Sequence, residues 1–447
     1  MDTQQLKNRP IEDILVEVNK QLNKHKLTAW EYNLDTSCGW ALEYLNGKIE
    51  KLEQCQTRSL SITIYQKQQR GSCSTNVLES AAIAEAIEQA YSSARYAEPD
   101  TAVGIADPDL MAWQAPHLPL LFEATITPAQ AIAMASLAER EFLTKDKRII
   151  KSGGIGFDSV AGSHCYANSS GFVGSYEKSY YAISGGLLAK DSQGMQRDNY
   201  YDIACNPNRL LSLDEIMQHT FRRVINRLEA THLTPRRCPV VYCAELVPTL
   251  LGSLVAAASG YNLYLGNSFL LNRLNSKIFP ENIQIIELPL MPEALSSAPF
   301  DGDGVALHDS PLIENGLLTR YLLDSYTARK LGMTTTGNAG GVRNLTVQPT
   351  VTGGLDALLA KMDTGLLVTE LYNGNQNVLN GDYSCGAFGY WVEHGQIQYP
   401  VKELTLAGNL LDMFNNLIMA GDDTDYRHSI ISGSVVIAEM TVASSSC

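Results

Sequence analysis

Between Leu246 and Asn272 the chain carries no charged residue. Leu246, Leu250, Leu254 and Ala258 recur at four-residue steps, with Val247, Leu251 and Val255 beside them, a spacing that predicts a helix with a wide apolar stripe. A helix with so little polar surface has to be buried. A membrane span is disfavoured, because Pro248, Gly252, Gly260, Asn262, Gly266 and Asn267 leave no continuous apolar stretch of ~20 residues.

The remainder reads as an α+β protein: antiparallel sheets with covering helices and a β-rich C-terminal domain. A length of 447 residues with 45% hydrophobic content supports two or three domains. The expected division is an N-terminal α+β domain over 1–105, a central α+β domain over 106–230, and a C-terminal domain over 231–447 holding the buried helix. In the first, Leu60, Ile62 and Ile64 alternate with Ser61, Thr63 and Tyr65 as in a half-buried strand, and Asn46-Gly47 favours a type I′ hairpin. Helices are expected over Glu79–Arg95, from the Thr127-Pro128 start to about Leu143, and over Leu213–Leu228. The stretch Glu98–Pro119 reads as a connector. Ser152–Gly154, Ser169–Gly171, Ser184–Gly186 and Asp191–Gly194 read as punctuation between strands of a meander, and Asn315-Gly316 and His394-Gly395 as further hairpins.

The formal charge of −14 argues against a nucleic-acid surface, since the only basic clusters are pairs such as Arg222-Arg223 and Arg236-Arg237. Met1–Lys26 is polar, without the apolar core of a signal peptide, and nine irregularly spaced cysteines do not form a secreted disulfide framework. Cytoplasm is the expected compartment.

Candidate chemistry is sparse. None of the eight histidines precedes a Glu or has another His four or five residues away, so no zincin motif exists. Cys238 and Cys243 flank a strand rather than a metal knuckle. His164-Cys165 is a poor base and nucleophile pair, because neighbours in a strand point to opposite faces. Asp301-x-Asp303-Gly304 begins like a calcium loop, but Leu312 stands where the bidentate Glu is required, so a turn is expected. Cys385 reads as a buried thiol, and Asp422, Asp423 and Asp425 as a solvated loop. Gly337–Gly341 lacks the Lys-Ser/Thr of a phosphate loop.

The segments Ala298–Gly304, Ile313–Gly332 and Gly337–Gly341 carry a family resemblance, supported by Asn168–Phe172, Gly194–Asp198, Asn380–Ser384 and Ala407–Leu410. Through them the chain resembles the PmbA (TldE) branch of the TldD/PmbA metallopeptidase family along nearly its whole length. The resemblance implies a two-subunit peptidase in which TldD-type chains bind zinc through a His-Glu-x-x-x-His motif and a later Cys. Aligned through Ser259-Gly260, the matching positions here are Leu251, Gly252 and Ala256, with Ser432 at the late position. None of Leu251, Gly252 and Ala256 can ligate zinc or act as a base.

What the resemblance implies is therefore a chain with no cofactor of its own: the metal-free subunit of a zinc peptidase acting on unfolded peptides, with zinc in a TldD-type partner. It is expected to be inactive alone. In TldD-like chains a loop like Gly337, Asn338, Ala339, Gly340 and Gly341 borders the peptide cleft. The family's older label of gyrase modulator finds no DNA-binding surface here. The alternative reading is a self-associating peptide- or partner-binding module, a homodimer without proteolytic role, and a third is an enzyme with an unrecognised site.

Overall fold

The computed structural model describes residues 11–444. Residues 1–10 of the polar N-terminal segment, and Ser445 and Ser446 of the terminal serine tract, lie outside the described residues.

The first layer is a six-stranded antiparallel sheet in the order β3-β2-β1-β4-β5-β6, made of β1 (Ala29–Leu45), β2 (Lys48–Gln66), β3 (Gln69–Thr75), β4 (Ile149–Asn168), β5 (Val173–Lys190) and β6 (Met195–Ala204). It runs unbroken past residues 105 and 106, because β1 pairs with β4 from Glu31↔Asn168 to Tyr44↔Ile155. Strand alternation sends Tyr32, Leu34, Trp40, Leu42 and Tyr44 to one face, where all are buried. Helices α1 (Ile11–Leu22) and α2 (Ser80–Tyr96) cover one end of that face, and α3 (Pro128–Thr144) and α4 (Leu213–Asn226) the other. Residues of opposite parity, among them Asp35, Ser37, His164, Tyr176 and Lys178, form the other face.

Local signals explain the boundaries. Thr127 accepts the Gln130 N–H while the Gln130 side chain accepts the Thr127 N–H, and Ser212 with Glu215 does the same for α4; these are the two capping boxes that start α3 and α4. Asn46-Gly47, Asn315-Gly316 and His394-Gly395 all have positive φ at both positions, as two-residue type I′ hairpins require. Two expected turns are corrected. Ser152–Gly154 and Ser184–Gly186 lie inside β4 and β5, opposite each other at a register shift. A Cβ at Gly153 would sit 2.9 Å from the Gly186 carbonyl carbon, so the glycines serve close strand approach rather than chain reversal.

The C-terminal region begins with β7 (Arg236–Tyr242), α5 (Val247–Ala258), α6 (Gly260–Tyr264), β8 (Ile285–Glu287), β9 (Ser310–Glu314), β10 (Leu317–Leu318) and α7 (Ser325–Lys330). It continues through β11 (Leu345–Val347), α8 (Gly354–Met362), β12 (Gly365–Gln376), β13 (Asp382–Glu393), β14 (Gln396–Asn409), α9 (Leu410–Asn415), β15 (Leu417–Ala420), β16 (Ile430–Ile431) and β17 (Val435–Ser444). One sheet has the order β14-β13-β12-β7-β17-β15 and curls back through a β14–β17 pairing; the other is β10-β9-β8-β11-β16. Two pairs, β7–β12 and β11–β16, are parallel.

Helix α5 contributes to a core shared by both sheets, with Leu250, Leu251, Leu254, Ala257 and Ala258 wholly buried. That burial is the physical reason for the charge-free run; each leucine contributes roughly 1.5–3 kcal/mol. Met111, Tyr166, Phe172, Phe300 and Val305 form a smaller core that seals the C-terminal region against the polar face of the first sheet. Among the described residues no helix is long and apolar enough to cross a membrane.

Candidate functional site

Pro248 opens α5, and Ser259 ends it while capping α6. Leu251 points into the core with no exposed surface. Gly252, one residue on, is half-buried, and a Cβ built there would meet nothing within 4 Å. Ala256 is also half-buried, its carbonyl accepting from Asn262 Nδ2 at 2.8 Å. Helix α5 packs on β16, which brings Ser432 into the same region. Ser432 is buried and its hydroxyl donates to the Gly433 carbonyl at 2.8 Å. The three helix positions and Ser432 thus sit on or beside elements that pack together, but the side chains present do not fit a zinc ion, and among the described residues no three His, Cys, Asp or Glu side chains converge.

The Gly337–Gly341 loop is tied to the end of α5 through Leu322 and Leu323. Leu322 N–H donates to Ala258 O at 2.9 Å, and Leu323 O accepts the Thr336 N–H at 3.1 Å. Asn338 is buried and its Nδ2 lies 3.0 Å from both oxygens of Glu287, which also pairs with Arg320. The buried Ala339 gives its N–H to Asp301 Oδ2 at 3.1 Å. Gly337, Gly340 and Gly341 have φ of +73°, +87° and +95°, and Gly340 and Gly341 are exposed. The loop is anchored by its middle and presents its glycine end to solvent.

Asp301–Gly304 forms the expected turn. Asp301 Oδ1 accepts the Asp303 and Val305 N–H groups, both at 2.9 Å. Burial, reinforced by the charge of Asp303, nevertheless pushes its carboxyl up to about 7. Glu31, on β1, is likewise raised by burial, although Tyr65 and Tyr166 donate to it at 2.7 and 2.9 Å.

Two clefts lie where the first sheet meets the C-terminal region. One, of about 540 Å³, is floored by the polar sheet face and roofed by residues 295–296 and 427–429. Inside it His164 Nδ1 is 2.7 Å from Asp35 Oδ1. Cys165 points the opposite way, into the core under α1 and α2, where burial raises its thiol to about 11. Lys178 spans the floor to the roof, donating to Leu295 O and, at 3.2 Å, to Ser297 O. The second cleft, of about 620 Å³, contains His219, Arg223, Cys243, Glu245 and Tyr390. Arg223 donates to both Glu245 oxygens at 2.8 Å and to Asp198 at 3.1 Å, and Arg227 joins Asp198 to Glu370. Burial raises Cys243 to about 12, and Cys385 is also raised by burial while donating to Tyr372 O at 3.0 Å.

The solvated acidic loop is corrected. Asp425 is buried and pairs with Arg427 Nη2 at 2.7 Å; burial pushes its carboxyl up, but the guanidinium outweighs this and holds it low. Asp423 accepts from Ser434 N at 3.0 Å and Oγ at 2.6 Å, and Asp422 accepts the Gly353 and Gly354 N–H groups. Arg427 lies two residues from Asp425 in the sequence, but a loop position says nothing about which way an arginine turns. Lys178 carried no sequence signal either, since alternation places it on a face that ordinarily meets water.

Comparison with known proteins completes the assignment. Residues 123–230 match the PmbA/TldA metallopeptidase central domain and 235–444 the PmbA/TldA metallopeptidase C-terminal domain. A metalloprotease PmbA homolog of Haemophilus influenzae is 40% identical over 89% of this chain and 88% of its own, and the metalloprotease PmbA of Escherichia coli O157:H7 is 36% identical over 97% and 96%. The crystal structure of a provisionally named modulator of DNA gyrase from Bacteroides thetaiotaomicron superposes with a TM-score of 0.91 at 27% identity, covering 97% of this chain and 99% of that one. TldE from Thermococcus kodakarensis shares the fold, with a TM-score of 0.82 at 18% identity over 97% and 99% of the two chains. Fold and sequence together define a chain of metallopeptidase type, and it belongs to the PmbA/TldD family. Its full-length relatives place it in the PmbA branch.

Proposed function

We propose that this chain is the metal-free subunit of a zinc peptidase: a TldD-type partner holds the metal, and this chain stabilises it and walls a chamber that admits unfolded peptides. The observation that carries the reading is the donor-free surface of α5. Leu251, Gly252 and Ala256 stand where the family motif would place two histidines and a glutamate, and zinc is held by sulfur, imidazole nitrogen or carboxylate oxygen. Leu251 moreover belongs to the core. The metalloprotease names of the PmbA relatives support a role in proteolysis. A walled chamber suits extended segments and spares folded proteins, and exposed strand edges can hold such segments by backbone pairing. In this reading the complex works in the cytoplasm, and its zinc belongs to the partner.

The test is metal mass spectrometry on the chain purified alone without chelator, followed by peptidase assays with and without a TldD-type chain. Well under one zinc per chain, with chelator-sensitive activity only in the mixture, is the expected result. Near one zinc per chain would overturn the proposal.

A further inference from the structure

Lys178 is out of place among the cations of this fold. Arg223, Arg227, Arg320 and Arg427, all held inside the structure, each pair with a carboxylate: Glu245, Asp198, Glu287 and Asp425 respectively. Lys178 has none among the described residues. It is half-buried on β5, and two of its three N–H donors go to the backbone carbonyls of Leu295 and Ser297. Carbonyl dipoles orient an ammonium without neutralising it, and burial disfavours its charge. The guanidinium of Arg343, bonded to Gly341 O and Ala339 O rather than to an acid, adds positive potential at Lys178.

This cation lines the cleft of about 540 Å³, whose floor is ordered by the sheet register. Asp35 lies opposite His164 and Ser37 opposite Gly162, which in turn pairs with Lys178. Gly162 puts no side chain between Ser37 and Lys178 in the register, and the Ser37 hydroxyl, 2.6 Å from that of Thr57, keeps further hydrogen-bonding capacity for a ligand. Asp35 engages His164 through Nδ1, so Nε2, with no hydrogen-bond partner among the described residues, is the ring atom available to a ligand. Tyr176 and Tyr180 supply aromatic wall. The volume is within the range of ordinary small-ligand sites and suits a peptide of a few residues.

We propose that this cleft binds the C-terminal carboxylate of a short peptide, with Lys178 as its counter-ion and His164 Nε2 and the Ser37 hydroxyl as polar contacts to the terminal residue. A peptide end is favoured over a bare anion because the floor extends past the cation as a row of hydroxyl, imidazole and phenol groups. The proposal deepens the peptide-handling reading above and rests on it for the class of ligand, but it needs neither zinc nor a partner chain.

The experiment is calorimetric titration of the full chain at low salt with tetra-alanine, its C-terminal amide and inorganic phosphate. The free acid is expected to bind at least tenfold more tightly than the amide, and more tightly than phosphate, with affinity falling as salt rises. Lys178→Met should lose at least tenfold for the acid, with its circular dichroism spectrum and cooperative melting showing that the variant is folded. Equal binding of acid and amide by the unmodified chain, or acid binding unchanged in Lys178→Met, would overturn the proposal. Phosphate binding as tight as the acid would make this a general anion site and overturn the peptide assignment. Failure here with zinc-free protein would leave the subunit reading standing, and zinc in the chain would leave this result untouched.

Discussion

Asp301→Asn separates two opposing forces on one buried carboxyl. Three backbone N–H groups, from Asp303, Val305 and Ala339, point at it and favour the charged form. Burial and Asp303 oppose them and win, placing its titration at about 7. Unfolded, the same group titrates near ~3.9. Between those values the native chain holds a proton that the unfolded chain lacks, so the contribution is complete at low pH and is lost as pH rises through the folded value, by ~1.4 kcal/mol per pH unit. Over pH 5 to 8 that amounts to roughly 3 kcal/mol, because the slope vanishes above the folded value. Asparagine cannot ionise. Its oxygen keeps the Asp303 and Val305 contacts, while its NH₂ faces the Ala339 N–H and forfeits roughly 1–3 kcal/mol at every pH. Urea unfolding of both proteins from pH 5 to 8 should therefore show the native chain losing its advantage by roughly 3 kcal/mol as pH rises. Parallel profiles would refute the reasoning and mean that the N–H groups keep Asp301 ionised throughout.

Arg227→Met takes one of two guanidinium partners from Asp198, which keeps Arg223, and the partner from the half-buried Glu370 under the second cleft, and should cost roughly 1–3 kcal/mol in urea unfolding, against well under 1 kcal/mol for breaking the exposed Arg237–Glu439 pair. Thr127→Ala removes the hydroxyl of the α3 capping box and should lower stability by ~1 kcal/mol, with Thr127→Ser recovering most of it by the same measurement. Iodoacetamide at pH 8 should alkylate the exposed Cys55 readily and modify the half-buried Cys243, whose thiol is raised to about 12 by desolvation, far more slowly; labelling of Cys243 as fast as that of Cys55 on peptide mapping would contradict the raised thiol.

Periodicity and capping chemistry made much of this fold readable. The Leu250–Leu254–Ala258 stripe, the Thr127-Pro128 start and three Asn-Gly or His-Gly hairpins are local signals, and local signals survive without knowledge of the rest of the chain. Glycine pairs misled, because Gly153 and Gly186 are needed only once their two strands meet, a fact about register. The same limit hid the site. The four degenerate ligand positions rest on resemblance, and the packing of α5 on β16 joins elements some 180 residues apart in the sequence. Lys178 and Arg427 acquire meaning from what stands opposite them, the carbonyls of Leu295 and Ser297 and the carboxylate of Asp425.

The β1–β4 pairing has a consequence for how this protein can be taken apart. A cut in the irregular stretch between Asp107 and Phe122 passes through a segment with little regular structure, yet it would not release two independent bodies. Each fragment would carry one half of a torn sheet, with the backbone groups of β1 from Glu31 to Tyr44 on one side and those of β4 from Ile155 to Asn168 on the other. Open strand edges of that length invite pairing with any other strand. The fragments should rejoin each other in solution or precipitate. Residues 11–230 are in this sense a single mechanical part, joined at its centre by two strands, β1 and β4, that lie far apart in the sequence.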